Sequence, residues 1–149
     1  MEQFNRYYVD TLKNRYAQFS GRASRSEFWY FVLFNLIISI IFAVLDSVLG
    51  TGYTYEVATN TTATATTEAA SVSVTQTIGY LQSFYGLAVM IPSIAVSIRR
   101  LHDLGKSGWW ILLSIIPLVN FIGIFVLLFF YVQDSQPGEN EYGPNPKGL

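Results

Sequence analysis

The sequence predicts an all-α membrane protein with three transmembrane helices, at about 28–49, 78–98 and 109–132, preceded by an N-terminal amphipathic interfacial helix. Three observations carry this expectation. Of 149 residues, 51% are hydrophobic and only 13% charged, about half the charge of a typical soluble domain. The apolar residues collect in three stretches of 22, 21 and 24 residues, each long enough for a bilayer core that needs about 20 helical residues. Across all three, the one formal charge is Asp46. A soluble bundle would return polar residues to an outer face every three or four positions, and Phe28 to Leu45 shows no such face.

Residues 4–19 gather Phe4, Tyr8, Val9, Leu12, Tyr16 and Phe19 in a sector roughly 140° wide, with Arg6, Asp10 and Lys13 opposite. This suits a helix in the inner headgroup layer. Asn5 and Arg15 intrude on the apolar sector, so a partly buried contact with the rest of the protein fits equally well. The first stretch opens with Ser24-x-x-Glu27, a capping box. It is too long for a signal-peptide core and lacks an Ala-x-Ala end, which reads as a retained signal-anchor. Along it, Asn35, Ser39, Ala43 and Ser47 form a narrow stripe that would let a neighbouring helix approach closely.

From Gly50 to Thr77 there are ten Thr in 28 residues and no Lys or Arg, so this segment is expected to be mobile or weakly β-like. Asn60-Thr61-Thr62 matches a glycosylation sequon, a pattern that such a run produces by chance. Pro92 in the second stretch would free the Ala88 carbonyl, and Pro117 in the third would free that of Leu113. Asn35 lies at a similar depth and is the expected donor to one of them. Gly105 is a plausible C-cap for the second helix. Residues 137–149 have Pro or Gly at six of 13 positions and should form an irregular tail.

Orientation follows from the basic residues, which resist translocation. Five precede the first stretch, the Thr-rich segment has none, Arg99 to Gly108 has three and the tail has only Lys147. The N-terminus and the short second loop are therefore expected in the cytoplasm, with the Thr-rich segment and the tail extracytoplasmic. Trp29, Trp109 and Trp110 then fall at cytoplasmic ends, where amphipathic rings favour the headgroup layer.

Composition also narrows function. Zero Cys and one His exclude disulfides, thiolate metal sites and paired-histidine zinc motifs, and a net charge of −1 gives no field for nucleic acid. No catalytic, metal or cofactor set is expected. Gly105-Lys106-Ser107 resembles the end of a phosphate-binding loop, but Arg100 stands where that loop needs glycine. His102 and Asp103, being consecutive, point about 100° apart on a helix.

The chemistry concentrates at the inner face. Arg22, Arg25, Glu27, Arg99, Arg100, His102, Asp103 and Lys106 are the candidate lipid- or partner-binding residues. Glu27 and Asp103 are available to pair with Arg22, Arg25, Arg99 or Arg100. The leading reading is a non-enzymatic integral membrane protein whose cluster contacts anionic headgroups, at about 1 kcal/mol per basic residue, or a protein partner. The alternative is a small-solute or ion transporter or channel, which needs a homo-oligomer because three spans enclose little pathway. A membrane enzyme acting on lipid through His102 and Asp103 is a third class.

Two long motifs flank the hydrophobic stretches: Phe19-x-Gly21-Arg22-x-x-Arg25-x-Glu27-Phe28-Trp29, and Arg99-Arg100-Leu101-His102-Asp103-x-Gly105-x-Ser107-Gly108-Trp109-Trp110. With Pro117 and Gly138-x-Asn140-x-Tyr142-Gly143-Pro144 in the tail, the sequence resembles the domain of unknown function 805 family of YhaH-like bacterial inner membrane proteins. The resemblance implies an inner membrane location and no assigned activity. The Thr-rich segment falls outside it and looks like an insertion.

Overall fold

Apolar runs without a polar face become helices here, but their ends follow local capping chemistry rather than the hydrophobic boundaries. The computed structural model describes residues 2–59 and 72–148. The chain divides into two units, Met1–Ile37 with Ala88–Leu149, and Ile38–Leu87.

In the first unit, an N-terminal arm comprises α1 (Glu2–Phe4), a π-helical turn at Asn5–Val9 and α2 (Asp10–Lys13). It stops at Lys13, short of the expected Phe19, with Asn14 closing the last turn through its backbone bond to the Asp10 carbonyl. Its rings turn to protein. Tyr8 is buried, with ring centres 5.2 Å from Phe4 and 5.6 Å from Phe31, and Tyr7 stacks on Tyr30 at 5.4 Å. The next helix, α3, runs Arg25–Leu49 and is capped by Ser24, whose hydroxyl accepts from the Glu27 N–H at 3.2 Å.

The second long helix, α4, runs Tyr80–Asp103, so residues 99–103 are its last turn rather than a loop. Gly105, at φ +65°, ends it. Lys106 N–H bonds to the Leu101 carbonyl at 2.9 Å and Gly105 N–H to that of His102 at 3.0 Å, which is a Schellman cap. Pro92 lies inside the helix, and the Ala88 carbonyl accepts from the Tyr16 hydroxyl at 2.5 Å. The expectation that Asn35 would serve a proline-freed carbonyl is corrected. Its amide donates to Phe31 of its own helix at 3.1 Å, and its oxygen accepts from Tyr8 at 3.5 Å.

The expected third span, 109–132, is not one helix. Gly108–Ser114 is a 3₁₀ helix, and α5 occupies only Pro117–Val132, 16 residues. Pro117 opens α5 instead of interrupting a longer helix, because the residue before a proline is driven out of the helical region; Ile116 has ψ 116°. The limbs fold back on each other. A Cβ on Gly123 would lie 2.5 Å from the Leu113 carbonyl oxygen, and Trp110 meets Phe130 edge to face at 5.4 Å. The end of α5 thus returns to the end of α4, where Gln136 N–H bonds to the Asp103 carbonyl at 3.1 Å. The start of the tail and the loop after α4 thus share one end of the unit.

In the second unit, β1 (Gly52–Thr59) and β2 (Val72–Gly79) pair antiparallel, from Gly52 opposite Gly79 to Thr59 opposite Val72. The Thr-rich segment, expected to be mobile or weakly β-like, therefore contributes strands to an otherwise helical chain, and β2 takes Ile78 and Gly79 from the predicted second span. Residues 60–71, including the Asn60 sequon, lie outside the described residues. Asp46 is buried beside the start of α4. Its Oδ1 accepts from Leu81 N–H at 3.1 Å and from the Thr51 hydroxyl at 2.6 Å, and its Oδ2 accepts from Gln82 N–H at 2.9 Å. The carboxylate thereby caps α4 from another helix, in place of a side chain at Gly79.

Among the described residues the structure is mostly helical, with two helices long and apolar enough to cross a membrane, Arg25–Leu49 and Tyr80–Asp103, and a shorter apolar helix at the third stretch.

Candidate functional site

The residues of the two motifs meet in the first unit as a buried ionic clasp. Gly21, at φ +88°, turns the chain so that Ala23 N–H bonds to the Arg99 carbonyl at 3.0 Å. That turn carries Arg22 into the end of α4. Arg22 Nε donates to Asp103 Oδ1 at 3.0 Å, and Arg100 Nη1 donates to Asp103 Oδ2 at 2.5 Å. One carboxylate therefore serves two guanidinium groups, and all three side chains are fully buried. Burial strengthens each attraction and makes removal of any partner costly.

Two arginines facing one carboxylate leave positive charge, and carbonyl oxygens of the third stretch and the tail take it up. Arg22 donates to the carbonyls of Gln136 at 2.6 Å, Gly138 at 2.7 Å and Gly143 at 3.2 Å. Arg100 donates to those of Tyr131 and Gln133. Beside this centre, Arg99 Nη1 donates to Glu27 Oε1 at 2.6 Å, and Arg15 reaches the same oxygen at 3.4 Å. The capping box is thus only half used: Ser24 caps α3, while the Glu27 carboxylate turns to arginines.

His102 lies beyond the apolar part of α4 and stacks on Tyr142 of the tail, with ring centres 3.8 Å apart and planes within 3°. The Asn140 side-chain amide donates to the His102 carbonyl at 2.9 Å. Burial holds the His102 imidazole below its ordinary value, opposed by a hydrogen bond that the ring donates to the Gly21 backbone. Outside the clasp, the N–H of Ser135 and the ammonium of Lys147 hold Asp134 below the usual carboxylate range, Lys147 having the larger effect.

Five of the eight candidate residues, Arg22, Glu27, Arg99, Arg100 and Asp103, are buried. In this arrangement they face one another and the tail, and Arg99 Nε and Nη2 are buried without a hydrogen-bond partner. His102 is half-buried, and Arg25 and Lys106 are exposed. The nearby cleft of about 1180 Å³ is lined by charges of both signs, including Arg6, Asp10, Arg15, Glu27 and Lys147, so it is no simple anion trap.

Sequence reasoning missed Arg15, which it treated as an intruder on an apolar face, and the tail acceptors. The tail motif Gly138-x-Asn140-x-Tyr142-Gly143 did signal that these positions matter, but carbonyl acceptance leaves no mark on side-chain identity.

Comparison with known proteins places these motifs. The family described as "Protein of unknown function (DUF805)" matches residues 16–144. The chain is 38% identical over 141 residues to inner membrane protein YhaH of Escherichia coli (strain K12), covering 95% of this chain and 96% of that protein. It is also 38% identical over 141 residues to inner membrane protein YhaI of the same strain, covering 95% of each. No solved structure matches.

Proposed function

The chain belongs to the DUF805 family, and from that membership together with its sorting of charge we propose that it is a multi-pass, non-enzymatic inner membrane protein whose exposed cytoplasmic cations hold anionic lipid headgroups. The supporting observation is the contrast between buried and exposed charge. The acid-paired arginines form the clasp, while Arg6, Lys13, Arg25 and Lys106 remain exposed on the segments around it. Buried arginines fix the arm, the end of α4 and the tail as one platform, and exposed cations on that platform meet the membrane surface. The N-terminus lies in the cytoplasm, because the segments with most of the basic residues resist translocation.

The same arrangement argues against proton-transfer chemistry. Glu27 and Asp103 both accept from guanidinium groups, and the His102 ring is covered by Tyr142.

Native mass spectrometry of the intact protein released from membranes of mixed phosphatidylglycerol and phosphatidylethanolamine tests this reading. Each exposed cation contributes about 1 kcal/mol, so Arg25→Gln with Lys106→Gln should lower phosphatidylglycerol retention roughly tenfold or more. Unchanged retention in a protein that still inserts and unfolds like the parent would refute headgroup contact at these residues.

A further inference from the structure

We propose that residues 108–132 form a re-entrant hairpin that enters and leaves the bilayer on one side, its outer faces covered by acyl chains, and that the tail lies on the side of the membrane that Lys106 occupies. The inference relies on the preceding reading only for naming that side the cytoplasm.

Both ends of the hairpin are fixed to the end of α4. At its entry, a Cβ on Gly108 would lie 2.8 Å from Ile98 Cγ2, and the Lys106 ammonium lies 5.9 Å from the Phe130 ring centre. At its exit, Arg100 holds the Tyr131 and Gln133 carbonyls and Asp103 holds Gln136. A segment that crossed the bilayer could not have both ends there.

The limbs are also too short to cross. The 16 residues of α5 reach about 24 Å at 1.5 Å per residue, and the seven of the 3₁₀ limb about 14 Å at 2.0 Å per residue. A bilayer core is about 30 Å thick. The turn between them is compatible with hydrocarbon because its backbone is largely paired. Ile115 and Ile116 N–H groups bond to the Leu112 carbonyl, and those of Val119 and Asn120 bond to that of Ile116.

The occupant of the outer faces follows from their chemistry. From Ser107 to Gln133 the sequence has no formal charge. Trp109 is 77% exposed, Phe121 79% and Phe125 72%, and Ile115 at the turn and Ile122 and Phe129 on α5 are open as well. A protein groove would take one stripe, whereas these side chains point around both limbs and over the tip. Acyl chains cover such a surface from every side, and Trp109 and Trp110 at the entry suit the headgroup layer. Charge agrees: with the tail beside Lys106, all nine basic residues fall on one side of the membrane.

The absence of native Cys makes the test direct. Single variants Lys106→Cys, Glu141→Cys and Phe121→Cys of the full chain are labelled with a membrane-impermeant maleimide in spheroplasts and in inverted membrane vesicles. Lys106→Cys and Glu141→Cys should label in the same preparation, and Phe121→Cys in neither. A spin label at Phe121→Cys should report high oxygen and low aqueous-quencher access. Labelling of Glu141→Cys from the side opposite Lys106→Cys would overturn the hairpin, as would aqueous access at Phe121→Cys. If Glu141→Cys fails to accumulate, Lys147→Cys gives the same readout. If both polar positions label in spheroplasts, the hairpin stands and the cytoplasmic assignment fails, so the two readings fail separately.

Discussion

Asp46 and Asp103 are both buried carboxylates beside a terminus of α4, and their charges are met in opposite ways. Asp46 sits at the N-terminal end and is satisfied by two backbone N–H groups and a hydroxyl, all neutral donors. Asp103 sits in the last turn, where the helix dipole disfavours an anion, and is satisfied by two guanidinium groups. Position on the helix thus selects the neutralising partner. At the N-terminus aligned peptide dipoles suffice; at the C-terminus full positive charges must be imported. One of them, Arg22, comes from 81 residues away and also holds the tail.

The sharpest way to break this contrast is Asp103→Ala, which leaves Arg22 and Arg100 buried without their carboxylate. It should cost about 3–5 kcal/mol in unfolding from detergent micelles. A loss below about 1 kcal/mol would mean that the tail carbonyls alone neutralise the pair. At the other end of α4, a Cβ on Gly79 would overlap the Asp46 carboxylate, so Gly79→Ala should cost about 1–3 kcal/mol. In an Asp46→Ala background most of that penalty should vanish, and strict additivity of the two changes would contradict the overlap.

Smaller effects belong to the tail. Tyr142→Ala removes the stack on His102 and should cost about 0.5–1.5 kcal/mol, read most directly as faster limited proteolysis after Gln136. Because the folded imidazole titrates below its ordinary 6.5, the folded state binds this proton less readily than the unfolded chain does. The contribution of neutral His102 is therefore full above that pH and is lost as pH falls below it. Tail release should rise between pH 7 and pH 5 in the parent protein and more weakly in His102→Gln; equal pH dependence would remove His102 from the account. Lys147→Ala breaks only a surface pair with Asp134 and should leave the unfolding midpoint unchanged.

The helices of the two long apolar stretches were legible because Phe28 to Leu45 offers no polar face, and because Ser24 and Gly105 are capping residues in capping places. The sequence also named Glu27 and Asp103 as partners for a short list of arginines, but which arginine meets which acid depends on the turn at Gly21. The third stretch misled for a physical reason. A count of apolar residues measures hydrophobicity along the chain and is blind to the path, and assigning a freed carbonyl to Leu113 presumed helix on both sides of Pro117. Tyr16 was read as part of an apolar face, yet its hydroxyl is what reaches the Ala88 carbonyl. Tail composition speaks only to backbone regularity, whereas the position of the tail follows from carbonyl acceptors that no residue type announces.

The bond from Arg22 to the Gly143 carbonyl joins residues 121 positions apart. At about 5–20 residues per second, synthesis separates their appearance by about 6–24 s. During that interval the nascent chain exposes guanidinium groups that the finished fold buries. Until the segment from Gln136 to Gly143 is made, Arg22 has only Asp103 to accept its hydrogen bonds, so full closure of the clasp waits for the tail carbonyls.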